Sequence, residues 1–266
     1  MLFVAVVIGA AQLAFPAHDA ASAVLTPKQA LAAVGLKPLG QYVKTTLIKV
    51  PFESINEAQG WYVTPETTLT HQQLSNERVR QGRFAHKAWV TGANTNNIEP
   101  DGPNHRGYPT VQLNVRPRGC VTPCLVDLWV WQDIPLQPGE WFSVATLTAS
   151  TSSAWLGQLV NVGSEGWLHA MHVPSPGLAD RVYQRTDIAF PVRTWVRVRV
   201  LIDYRATGGA IAVWQNNTLM SVARIDPTLD LNGCGVLNQA HFGLYTPPTI
   251  ATGVIYNDAL VISELR

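Results

Sequence analysis

Charge is scarce in this sequence. Asp, Glu, Lys and Arg make up 14% of the 266 residues, and 19 basic against 18 acidic side chains leave a formal net charge of +1. No run of like charges occurs. Phosphate binding needs a concentrated basic face, so nucleic acid is not expected as a partner. Cysteine is also scarce, with three residues. No second cysteine pair or spaced histidine pair accompanies them, which argues against a zinc site. Internal repeats and low-complexity linkers are missing, and this leaves one main domain as the simplest account. Past the N-terminal stretch there is no apolar run long enough to cross a membrane, so no membrane partner is expected.

Apolar residues, by contrast, are plentiful. They make up 47% of the chain, enough for a sizeable core, and the nine tryptophans are many for this length. Tryptophan fills β-sandwich cores and also stacks on the apolar faces of sugars, and the sequence leaves both roles open. "MLFVAVVIGAAQLAFPAHDAASA" reads as a secretory signal peptide over 1–23. It has an apolar run ended by Pro16 and the small-residue pattern Ala21-Ser22-Ala23. A secreted protein, extracellular or periplasmic, is therefore expected. Cys120 and Cys124, in the Gly/Pro loop "GCVTPC", suit a small-loop disulfide in such a compartment, leaving Cys234 single. Asn216 opens a glycosylation sequon.

"TPKQALAAVG" is the clearest helix, with Thr26 as N-cap, Pro27 in the first turn and Gly35 at the stop. It marks residues 24–39 as an N-terminal helical appendage. From 40 to 266 strand signals take over, in about a dozen alternating or β-branched runs punctuated by Gly, Pro, Asn and Asp. "VRVRVLIDY" is the clearest, with Val196, Val198 and Val200 on one side and Arg197 and Arg199 on the other. Hairpin-length connections between such strands predict an all-β fold, an antiparallel two-sheet β-sandwich.

Three late segments carry a resemblance. "WVRVRVLIDYRATGGAIAVWQNNTLM" follows a strand, Gly turn, "V-W-x-N" pattern. "HFGLYTPP" is similar to a "K-x-G-x-Y" strand, and "GVIYNDALVI" is similar to a closing "V-Y-Y-D-x-V-x-I" strand. Together they resemble the concanavalin A-like jelly-roll polysaccharide lyases, most closely the heparin lyase I type. The resemblance extends over about residues 50–266 and is most specific over 190–262. It implies a groove on one sheet, an acidic polysaccharide as partner, and β-elimination next to a uronate carboxylate. That chemistry needs a charge to offset the carboxylate, a base for the carbon-bound proton and an acid for the leaving oxygen. A monomer is expected.

Carried onto this chain, the resemblance puts Tyr245 at the catalytic tyrosine and His241 where the family has lysine. Gly243 between them would let a sugar approach the backbone. A plainer reading leaves Tyr245 at a core edge and His241 on an ordinary sheet surface. In "NHRGYPTVQLN", Arg106, Tyr108, Thr110, Gln112 and Asn114 alternate on one face. Arg106 and Gln112 are suited to a carboxylate, and Tyr108 and Asn114 to binding the sugar. Lys87 and Trp89 of "RFAHKAWV" are further substrate-binding candidates. Related lyases carry "Q-x-H" on a groove strand. The matching stretch here is Gln158-Leu159-Val160, so Gln158 is present and valine replaces the histidine. His169 or His172 on the next strand would have to substitute, and His169 is the expected catalytic candidate of the two.

Glu53 near the first strand and Asn257 and Asp258 on the last are oxygen donors suited to a structural calcium ion, and equally to ordinary surface positions. The closely spaced carboxylates "E-x-D-x-x-E" of glucanases with this fold are missing, since Glu165 stands alone and Asp127 and Asp133 lie apart. The competing function is a non-catalytic, lectin-like carbohydrate-binding module.

Overall fold

The alternation around Val196, Val198 and Val200 becomes a central strand in the computed structural model of the chain, where all three are fully buried. The structure describes residues 25–57, 60–61, 69–99, 102–112, 120–121, 123–148, 156–173, 181–205, 207–225, 236–237 and 239–266. The leader expected over 1–23, Asn114 and Cys234 lie outside them.

With strands numbered in chain order, one antiparallel sheet runs β15 (Thr218–Arg224), β14 (Ala210–Gln215), β13 (Val196–Asp203), β8 (Cys124–Asp133), β18 (Gly253–Leu265), β4 (Ala85–Val90), β3 (Thr70–Ser75). β1 (Lys44–Val50) pairs with the C-terminal half of β18. The second sheet runs β12 (Arg181–Ala189), β11 (Trp167–Val173), β10 (Gly157–Gly163), β9 (Trp141–Thr148), β17 (Gln239–Thr246), β6 (Pro109–Gln112), β2 (Gly60–Trp61). β5 (His105–Gly107) lies beside the second half of β17. β7 (Cys120–Val121) and β16 (Val236–Leu237) form a separate pair.

The sheets are held together by the inward members of each alternation. Leu128 and Val130, Phe142 and Leu147, Leu168, Phe242 and Leu244, and Ile262 are all at most 1% exposed and belong to one cluster. Each such side chain contributes roughly 1.5–3 kcal/mol on burial, counted against an extended chain. This is the two-sheet sandwich expected from the strand pattern.

The helix forms as α1 (Pro27–Ala33), with the Thr26–Gln29 capping box in place. Leu31 and Leu36, each 4% exposed, anchor it on Leu125, Leu201, Ala212 and Trp214 outside the first sheet. One local expectation, a hairpin loop holding both Cys120 and Cys124, needs correction. Cys120 and Cys124 do not share a hairpin loop. β7 pairs with β16 while β8 joins the first sheet. The side chain of Cys120 lies outside the described residues, and so does the bridge expected there.

Candidate active site

β17 turns Ala240, Phe242 and Leu244 into the core, each fully buried, and His241 and Tyr245 to the outside of the second sheet. Neighbouring registers fix what they face. His241 stands opposite Thr110 on β6 and Thr146 on β9, and Tyr245 opposite Arg106 on β5 and Ser143 on β9. The register shifts between Phe242 and Tyr245, where Gly243 adopts φ 141°. A Cβ there would lie 2.6 Å from the Gly107 carbonyl oxygen and 2.9 Å from Cε1 of His86. Gly243 therefore permits close packing toward the interior, which corrects the expectation that it opens the backbone to a sugar. His241 and Tyr245, four apart, share a face by strand alternation, and they keep it across this irregular stretch.

Arg106, Tyr108, Thr146, His241 and Tyr245 line one cavity of about 330 Å³. Asn104 Nδ2 donates to the Tyr245 hydroxyl oxygen at 2.9 Å, which leaves the hydroxyl proton available to another acceptor. The Arg106 guanidinium carbon lies 5.4 Å from the centre of the Tyr245 ring, and the Trp141 ring meets it at 5.3 Å. Tyr108 packs edge-on to His241 at 4.5 Å. Burial, and after it the Arg106 charge, holds the His241 pKa down at about 4, so its imidazole is neutral at physiological pH. Its Nδ1 is 3.5 Å from Thr110 Oγ1. The cavity thus gathers a cation, a neutral imidazole and a phenol.

The registers also draw a line across the outer face of the sheet: Arg106, Tyr245, Ser143, Asn161, His169. Adjacent strands are about 4.8 Å apart, which puts His169 roughly 14 Å from Tyr245. It shares the face but not the cavity. Burial lowers its pKa, partly offset by the Trp167 carbonyl and Glu165. Asn161, 2% exposed, has no hydrogen-bond partner for its carboxamide oxygen among the described residues.

Several candidates fall elsewhere. Gln158 and Val160 point between the sheets, since Val160 is in the core and Gln158 Nε2 pairs with His172 Nδ1 at 3.2 Å in a buried contact. The outward residues there are Leu159 and Asn161, the latter one residue off the aligned position of the histidine. Lys87 and Trp89 belong to β4 of the first sheet. His86, Ala88 and Val90 fill its inward side, so Lys87 and Trp89 face away from Tyr245, and Lys87 pairs there with Glu77 at 2.7 Å. Gln112 ends β6 opposite Gln239, and its side chain is outside the described residues.

The calcium candidates do not converge. Asp258 accepts the backbone N–H groups of Arg80, Gln81 and Ala259, and Glu53 those of Arg83 and Phe84. Asn257 turns to the other side of β18, toward His86. As a three-residue ligand set they do not fit, and no group of three His, Cys, Asp or Glu suited to a metal occurs among the described residues. A larger cavity of about 750 Å³ opens beside Leu136, Phe142 and Phe190. Its charged lining residues, Asp133 and Arg193, are paired with each other.

Sequence reasoning missed Asn104, Trp141, Thr146 and Asn161. Asn104 extends the alternating row of Arg106 and Tyr108 by one step and was within reach of that pattern. The others enter through registers that a sequence does not display.

No family model matches the chain, and no curated protein matches it in sequence. Solved structures do match. The endo-β-1,4-glucuronan lyase from the fungus Trichoderma reesei is similar with a TM-score of 0.60 at 16% identity, over 83% of this chain and 96% of that one. The alginate lyase vAL-1 from Chlorella virus gives 0.56 at 10%, over 83% and 100%. The cellulose induced protein Cip1 gives 0.51 at 14%, over 81% and 96%. At such identities the likeness establishes the shared sandwich fold.

Proposed function

We propose that this chain is a secreted polysaccharide lyase that cleaves a uronate-containing polysaccharide by β-elimination in the cavity at Tyr245. The observation that carries the reading is the convergence of Arg106, His241 and Tyr245 there. Arg106 pairs with the uronate carboxylate and offsets the charge that grows as the adjacent C5–H bond breaks. His241 takes that proton. In the tautomer that carries its proton on Nδ1, toward Thr110, Nε2 keeps a free lone pair. The C4–O4 bond breaks as the C4=C5 double bond forms, and Tyr245 gives its hydroxyl proton to the leaving oxygen. The hydrogen bond from Asn104 stabilises the resulting phenolate. Proton return from His241 to Tyr245 through solvent closes the cycle.

Two of the similar structures are named as lyases of glucuronan and alginate, which makes polyuronates the first substrates to try, with heparin as a further arm for the heparin lyase I type. Incubation of the mature protein with each polymer, followed by ultraviolet absorbance of the unsaturated product, tests the reading. Absorbance with one of them supports it.

One observation favours a second reading, the non-catalytic carbohydrate-binding module. The outward residues nearest the aligned position on β10 are Leu159 and Asn161, neither of which can exchange a proton, where related lyases carry a histidine nearby. Retention on a polyuronate column with no unsaturated product from any polymer selects this alternative.

A further inference from the structure

The outer face of the first sheet, on the far side from Tyr245, carries aromatic and basic side chains that the lyase reading leaves unused. Leu128 and Val130 of β8 point into the core, so Trp129 and Trp131 share the outer face. Trp195 directly precedes β13, whose Val196 pairs with Val130, and it lies beside Trp131. The Arg78 guanidinium carbon sits 5.1 Å from the centre of the Trp131 ring, and that of Arg80 sits 4.1 Å from Trp129. Among the described residues neither arginine makes an ion pair. Arg78, Trp131, Asp133, Arg193 and Trp195 line a cavity of about 560 Å³.

Arg193 is held at the rim by more than one constraint. Its backbone adopts φ 56°, a left-handed conformation costing a non-glycine residue on the order of 1–3 kcal/mol. Its N–H donates to the Gln132 carbonyl at 2.8 Å, and its Nε donates to Asp133 Oδ2 at 2.8 Å. The pairing neutralises Arg193, while Arg78 has no carboxylate in ion-pair contact, and the Glu77 carboxylate near it is taken by Lys87 and Tyr256. A planar guanidinium with no carboxylate bound to it, in a cavity lined by two indole rings, complements a ligand that joins a carboxylate to a flat apolar sugar face.

We propose that this cavity is a second carbohydrate site, binding a carboxylated sugar of an acidic polysaccharide at Arg78 and Trp195, remote from the site at Tyr245. The near-neutral chain does not attract a polyanion as a whole, so the attraction is local to this arginine-rich surface. Occupied together with the first site, it would raise the residence of a long polymer without changing the chemistry on a short one. The choice of ligand rests on the acidic-polysaccharide reading above.

Affinity electrophoresis in gels containing polyglucuronate, alginate or a neutral β-glucan tests this. Wild type, Arg78→Ala, Trp195→Ala and Arg106→Gln are compared, with thermal melts confirming that each folds. Arg78 is exposed, so its variant remains informative if Trp195→Ala is unstable. The expected result is retardation of the wild type by a polyuronate that weakens about tenfold in Arg78→Ala and Trp195→Ala, the factor that 1.4 kcal/mol produces. Turnover of uronate oligosaccharides too short to reach both sites stays unchanged in Arg78→Ala. If no variant and no wild type cleaves any oligosaccharide, yet retardation still depends on Arg78, the second site stands and the lyase reading falls. Wild-type retardation in both Arg78→Ala and Trp195→Ala, equal retardation by the neutral glucan, or no retardation at all overturns the proposal.

Discussion

Arg106 and Tyr245 face each other across β5 and β17, with the guanidinium carbon 5.4 Å from the centre of the phenol ring. The relationship places a guanidinium beside a phenol and, through the same cavity, beside the neutral His241. The arrangement follows from two alternations that run outward together, 104–106–108 on one chain segment and 241–245 on the other.

Arg106→Gln removes the charge that adds to burial in lowering the His241 pKa. The imidazole pKa then rises from about 4 toward, but not up to, its ordinary value, because burial is the larger cause. Titration of the His241 ring signals by NMR in both proteins checks this. An unchanged or lower value in the variant contradicts the electrostatic account.

His241→Ala removes the proposed base and is expected to lower kcat about 10²- to 10⁴-fold, the usual span for positioned proton transfer. In the wild type the free-enzyme pH profile of kcat/KM loses activity on the acid side near pH 4 rather than near 6.5. Rate against pH with short oligosaccharides measures both effects. An acid limb near 6.5 would assign the base elsewhere.

Gly243→Ala is expected to destabilise the fold by on the order of 3 kcal/mol, from the strained backbone and from overpacking against Gly107 and His86. Urea denaturation gives the number. A change below about 0.5 kcal/mol, the range of ordinary surface substitutions, would show that the bulge tolerates a side chain.

His86 is fully buried. Its Nε2 is 3.0 Å from Gln72 Oε1, and desolvation lowers its pKa to about 3. The unfolded chain, with an ordinary histidine near 6.5, binds the proton that the folded chain refuses. The stability contribution is therefore whole above pH 6.5 and falls as pH drops from there toward 3. Thermal midpoints measured across this window should decline with acid, and His86→Gln should flatten the decline. Equal slopes in the two proteins would remove His86 from the account.

Much of the fold was legible in the sequence because strand periodicity is local. The valines of β13 and the inward members of β17 declare their side without reference to a neighbour. The row of Arg106, Tyr108 and Thr110 was legible for the same reason. What failed were statements that needed a register or a sheet assignment. Gln158 was matched by motif one residue away from the outward position, and a one-residue slip reverses the face of a strand. Lys87 and Trp89 have a polar-outward parity, but parity does not say which of two sheets β4 joins. The role of Gly243 required knowing that Gly107 and His86 lie directly inside it. Glu53 and Asp258 looked like ligands, and their carboxylates instead accept backbone N–H groups of the 80–84 loop, a partner invisible until the loop is placed.

The most direct measurement is the formation of unsaturated product by wild type and Tyr245→Phe, side by side, on glucuronan and alginate, with binding of each polymer recorded in parallel. The account predicts ultraviolet-absorbing product from the wild type on one of these polymers. It predicts none above background from Tyr245→Phe, with binding within about twofold of wild type, because the substitution removes one hydroxyl and leaves the ring in place. Cleavage by Tyr245→Phe at the wild-type rate, or no unsaturated product from the wild type on any uronate polysaccharide, would contradict it.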